Sequence, residues 1–310
     1  IPLKSLDSSP VSHDDWSSDK IDSTPPRDLD SSPTHFHGIL KQSPNPSIDP
    51  FKCVDPNLYF RALLFSGQPD QALLLSDRVD PSLTACALND LGWSEKALLI
   101  LKNLSTPAAR IQIARALFAT DKIPNARAQL NGGLAPKGPE ELAHRLCRLE
   151  LDRREGIACS AELGALAAEV RDSDPYLFAA AAAAAARALL DEGRAVQARR
   201  QAESALEARS TSVALTMAMA KCLRSEGRFS EALAILRPGL RRYYAGVATP
   251  GATGLLAEAA RSLVGRGRLD RAAETAAAAV AAARNLREQL TAGGAVAFVA
   301  ASKGDLRGLV

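Results

Sequence analysis

Eight residues at near-regular intervals constrain this chain more than anything else in it. Gly67, Gly92, Asp121, Gly156, Gly193, Gly227, Gly267 and Gly304 each interrupt an apolar block, at spacings of 25, 29, 35, 37, 34, 40 and 37 residues. The middle values surround a period of about 34, the signature of a helical repeat array. Asp121 is taken in preference to Lys122 because it keeps the register of the flanking positions. Four residues before the turn stands Leu63, Leu88, Leu117, Leu189, Leu223 or Leu263, with Asp152 and Ala300 as exceptions. Seven before it lies Ala85, Ala114, Ala186, Ala220, Ala260 or Ala297, with Phe60 and Leu149 departing, and five after it Ala72, Ala97, Ala126, Ala161, Ala198, Ala232 or Ala272, with Leu309 departing.

The stretch CLRSEGRFSEALAIL, residues 222–236, shows the physical logic. A glycine takes the left-handed conformation that ends one helix and reverses the chain, which costs any residue with a β-carbon. A second helix starts at once. The small alanines on either side let the two antiparallel helices approach closely, and the leucine fills the space between them. One such hairpin cannot bury its apolar face alone, so neighbours stack into a continuous core. Aromatic residues make up only 5% of the chain, so that core is filled by Ala and Leu, which favours helices over a sheet sandwich. The expected fold is therefore all-α, with about seven complete hairpins and a partial one.

This spacing resembles the tetratricopeptide repeat family, whose unit is a 34-residue helix hairpin with small residues at these positions. The matching segments are TSVALTMAMAKCLRSEGRFSEALAILRPGL, AAAAAAAARALLDEGRAVQARRQAESAL and GLLAEAARSLVGRGRLDRAAETAAAAV. The family's Trp and Tyr in the first helix and its closing proline are not kept, and the first units are short, so the resemblance is to a divergent member. It implies an α-solenoid, a superhelix of stacked antiparallel hairpins, over residues 51–310.

Residues 1–50 have a different texture, rich in Ser, Pro and Asp, and cannot offset the entropy of ordering. They are expected to be a disordered acidic leader. Within them LDSSPVSH (residues 6–13) recurs as LDSSPTH (residues 29–35), which reads best as a duplicated linker.

Charge is graded along the chain. Residues 1–50 carry 4 Lys/Arg against 8 Asp/Glu, residues 51–170 carry 14 against 14, and residues 171–310 carry 20 against 13, giving −4, 0 and +7. The surplus permits an anionic partner for the C-terminal half. Nucleic acid is disfavoured, because aromatic side chains for base stacking are sparse there.

One polar position follows the same ladder. Six residues before the turn stands Arg61, Arg115, Arg187, Lys221 or Arg261, with Cys86, Glu150 and Phe298 in the other units. In the family this first-helix position faces the concave groove where extended peptides bind, so the resemblance implies a stripe of positive charge suited to an acidic peptide or protein partner. The alternative for the same residues is that each aliphatic stem lies along its helix with the charge in water.

Catalytic and metal chemistry is sought without result. No GxxxxGK[ST], GxSxG, HExxH or CxxC motif occurs. His35 and His37 form an HFH pair without a third ligand, and His144 reads as a structural residue. The five cysteines are scattered and suggest buried free thiols in a reducing compartment. No catalytic residue, metal or cofactor is expected. The longest apolar run, around the eight alanines 179–186, is shorter than the roughly 20 residues needed to span a bilayer. No signal peptide is visible, so the chain is placed in the cytoplasm, and 28 Arg against 10 Lys hint at a bacterial source.

The chain opens on Ile1 and its last unit stops at Val310, which suggests a piece of a longer protein. Two functions remain at this point: an interaction scaffold, or the repeat region of a larger bacterial enzyme, such as a glycosyltransferase, with its catalytic domain beyond residue 310.

Overall fold

A computed structural model describes residues 55–65, 68–132, 136–208, 212–247 and 249–304. The expected leader, the LDSSP duplication, the HFH pair and the turn at Gly67 lie outside the described residues. Among those described there are fifteen α-helices and no strand. They are α1 (Pro56–Phe65), α2 (Pro69–Leu73), α3 (Pro81–Asp90), α4 (Ser94–Leu101), α5 (Pro107–Ala119), α6 (Ile123–Asn131), α7 (Pro139–Arg154) and α8 (Ser160–Val170), followed by α9 (Pro175–Asp191), α10 (Ala195–Ala208), α11 (Val213–Ser225), α12 (Phe229–Tyr244), α13 (Ala252–Gly265), α14 (Leu269–Ala282) and α15 (Leu286–Lys303).

The turns predicted from sequence are where the helices end. Gly92, Gly156, Gly193, Gly227, Gly267 and Gly304 all have φ between +71° and +81°, and Asp121 has the single positive φ (59°) of any other residue type among those described. The residue after the turn donates its N–H to the carbonyl four residues before the turn: Trp93 to Leu88, Lys122 to Leu117, Arg194 to Leu189, Arg228 to Leu223 and Arg268 to Leu263. This is the six-to-one bond of a Schellman cap, which satisfies a carbonyl that the helix leaves over. Helix starts are equally local. Pro occupies the first turn of α3, α5 and α9, where its missing N–H costs nothing, and Asp80, Thr106, Asp174, Ser212 and Asn285 accept a hydrogen bond from the first-turn amides.

The hairpins bury most of the predicted alanines against each other, Ala297 of α15 being only partly buried. Ala97, Ala126, Ala198, Ala232 and Ala272 are fully buried, as are Ala85, Ala186, Ala220 and Ala260 on the opposing helices. Ala161 departs from this pattern and is exposed. After Gly156 the next helix begins two residues later than elsewhere, capped at Cys159, so the close-approach position passes to Leu163, which is fully buried.

The odd-numbered helices α3 to α15 stack on one another as an inner row, while each even-numbered helix packs on its hairpin partner and on the first helix of the next unit. Core packing is continuous from Leu146 to Val299 and is built largely of Ala and Leu, including the buried Ala181–Ala186 run of α9. Smaller clusters lie under α1–α5 and between α5 and α7. No described helix is long and apolar enough to cross a membrane.

The array does more than curve. Helix α15 reaches back to α5, and α9 touches α1. At the start of α15, Arg284 donates from Nη1 to the Leu91 carbonyl (3.1 Å) and Asn285 from Nδ2 to the Gly92 carbonyl (3.0 Å), across 193 residues of sequence. The superhelix thereby closes on itself.

Candidate functional site: the inner-row charge ladder

The residue six before a turn follows the buried alanine by one position, so it leaves the same helix face at an angle and emerges on the inner surface of the odd-numbered row. Successive units bring these positions together. Cys86 Sγ accepts from Arg115 Nη1 at 3.3 Å, and Glu150 Oε1 accepts from Arg187 Nη2 at 2.7 Å. Two of the three non-basic side chains in the ladder are therefore partners of the basic ones that follow them; the third, Phe298, is exposed.

Arg115 is committed to structure. Its Nη2 lies 2.8 Å from Asp90 Oδ1, and Asp90 also accepts from the Tyr176 hydroxyl at 2.6 Å. Burial, which alone would lower it, is outweighed by Tyr176, Cys86 and Asp90, and the Arg115 pKa is raised. Burial also pushes Tyr176 well above its ordinary value and the neighbouring Cys147 thiol up to about 12, so both stay protonated at neutral pH.

Arg187, Lys221 and Arg261 form the next stretch. Arg261 Nη1 binds Glu258 Oε1 at 2.8 Å, and the other oxygen of this buried glutamate takes Arg224 Nε at 3.1 Å. Lys221 sits between Arg187 and Arg261. Burial lowers its pKa, Glu258 opposes that, and the repulsion of Arg187, Arg261 and Arg153 lowers it further. Burial likewise lowers Arg187. Arg61 is exposed on α1 and takes no part in these ion pairs.

Two cations of this surface are absent from the ladder. Arg153 follows Glu150 by three residues on α7 and pairs with Asp191 on α9. Arg287 is delivered by the closing helix α15: it lies 4.3 Å over the Phe118 ring, and burial, followed by repulsion from Arg187 and Arg153 against the attraction of Glu150, lowers it to about 10. The sequence signal for Arg153 is its spacing one helical turn after Glu150. Arg287 has none, because only ring closure brings it here.

Donor capacity is left over. The Nε atoms of Arg153 and Arg187 are buried without a hydrogen-bond partner. Buried donors are normally satisfied, and these two are not. Among the described residues no cluster of His, Cys, Asp or Glu could hold a metal ion. His144 is structural in its bonding, with Nε2 at 2.9 Å from the Leu130 carbonyl.

Comparison with known proteins agrees with the architecture. Residues 189–245 match the family model described as tetratricopeptide repeat, a stretch that covers the end of α9 and the whole of α10, α11 and α12. No curated protein matches the chain. The chain is a tetratricopeptide-like helical repeat.

Proposed function

We propose that this chain is a protein-interaction scaffold whose inner row takes an acidic peptide or protein segment, with residues 51–310 acting as one repeat domain. The observation that carries this reading is the Arg187–Lys221–Arg261 ladder, in which cations of successive units act on one another and the charge of Lys221 is destabilised by burial first and by its cationic neighbours further. A partner carboxylate would relieve that repulsion, and several such contacts along a repeated surface would add specificity through register. Arg61 extends the proposed surface toward the first units, where Arg115, held by Asp90, Cys86 and Gln112, adds its charge to the same row. Salt would weaken the complex, since charges at a surface are screened within about 10 Å at 0.1 M.

Fluorescence anisotropy with labelled acidic peptides tests this. The Arg187→Ala/Lys221→Ala/Arg261→Ala protein removes three positive charges while Glu150 and Glu258 remain, weakening the local positive field, and should lose at least roughly tenfold in affinity at low salt. Equal affinity in a variant with unchanged circular dichroism would overturn the reading.

A further inference from the structure

Helix α15 carries Arg287 to the inner surface, and that helix is built in two unlike halves. Its C-terminal half is anchored: Ala295 and Val299 are buried in the main core, as is Ala292 at the junction of the halves. Its N-terminal half is not, for no residue from Leu286 to Thr291 is fully buried, and Leu286, Gln289 and Leu290 are exposed. That half is held at its start by Arg284 and Asn285, which bind the Leu91 and Gly92 carbonyls, with the Arg284 guanidinium 4.9 Å over the Trp93 ring, and one turn on by Arg287 over the Phe118 ring.

Between the halves stand Gly293 and Gly294, inside an 18-residue helix. Glycine weakens a helix interior, and packing demands it at neither position. A β-carbon at Gly294 would meet Arg261 Nη2 at 3.4 Å, whereas one at Gly293 would meet nothing within 4 Å. Gly293 therefore has a conformational effect without a steric reason.

We infer that residues 284–291 form a lid over the inner-row charge ladder, hinged over residues 292–294 and fastened by Arg284 and Asn285 to the α3–α4 turn. The segment has the marks of a low-stability unit: few buried apolar contacts, exposed side chains and a polar fastening. When shut, the lid carries Arg287 into the ladder; when lifted, it removes that cation and uncovers Arg187. Its role in partner access rests on the function proposed above, but its motion does not.

Native-state hydrogen exchange on the full chain, read by mass spectrometry, tests the motion without any ligand. Amides of 286–291 should exchange faster than those of 295–303. Arg284→Gln, and separately Asn285→Ser, which keeps a side-chain oxygen to cap α15, should speed exchange of the first segment by about tenfold, the loss expected from one or two hydrogen bonds, and leave the second unchanged. Gly293→Ala should slow the first segment by stiffening the hinge. If α15 exchanges as one unit, or if none of the three substitutions moves the first segment, the lid is refuted. Fluorescein-labelled hexaglutamate then reads access: its association rate should rise in Arg284→Gln and fall in Gly293→Ala. Exchange that behaves as stated, with no hexaglutamate bound by any form, would sink the acidic-partner function and leave the lid standing.

Discussion

Arg187 of α9 reaches back 37 residues to Glu150 of α7 with a hydrogen bond of 2.7 Å, and both residues stand six positions before the turn of their own unit. The pair thus records the register of the stack. It is also energetically exposed to truncation, since removing one member leaves the other half-buried and unpaired. Arg187→Met should cost about 2 kcal/mol of unfolding free energy, Glu150→Gln a similar amount, and the two together clearly less than their sum. Urea denaturation of the three variants gives the coupling.

Acid should erase the same contribution. Burial tends to raise the Glu150 pKa, but Arg187, Arg287 and Arg153 overcome it and hold the group below its ordinary value of 4.5. A carboxylate with a depressed folded-state pKa stabilises above its unfolded pKa and loses that stabilisation as the pH falls through the folded value. The urea midpoint of the parent protein should therefore fall more steeply below pH 4.5 than that of Glu150→Gln.

Lys221 should behave in the opposite sense. Its charge is disfavoured by burial and by the flanking Arg187 and Arg261, so Lys221→Met should raise stability by roughly 1 kcal/mol, or about 2–4 °C in melting temperature. The advantage should shrink as the pH rises toward 10.5, where the lysine discharges more readily in the folded state than in the unfolded one. The same substitution should weaken acidic-peptide binding, separating stability from function in a single variant.

Turn glycines with the same backbone should differ by their surroundings. Gly227 has φ 76° and open space for a β-carbon, so Gly227→Ala should cost only the left-handed strain, about 1 kcal/mol. Gly92 has φ 80°, but a β-carbon there would sit 2.5 Å from Glu288 Oε1. Gly92→Ala should cost more, and the excess should disappear in a Glu288→Ala background. At Asp121, whose φ is 59°, glycine should stabilise by about 0.5–1 kcal/mol. Thermal melts of these proteins decide each case.

Much of the architecture was legible because a left-handed turn leaves a local mark. Only a residue that tolerates positive φ can hold the position, and the capping bond ties it to a fixed leucine four residues earlier, so the pattern survives even where Asp121 replaces glycine. Where the unit gained two residues, at Ile157 and Ala158, the same counting put Ala161 in the core in place of Leu163. The charge ladder was visible too, and its exceptions Cys86 and Glu150 were informative as partners. Closure was not legible. Arg284 and Asn285 bind main-chain carbonyls, which carry no residue-type signature, and Arg287 enters the inner surface only as a result.

An open stack of hairpins can gain or lose a unit with little consequence, since each contacts only its neighbours. A chain whose tail is buttoned to its third and fourth helices has no such freedom. Deleting one hairpin would rotate α15 away from Trp93 and Gly92, so the copy number of this array is fixed by its seam, and duplication of a unit would undo the very contact that makes it a closed turn.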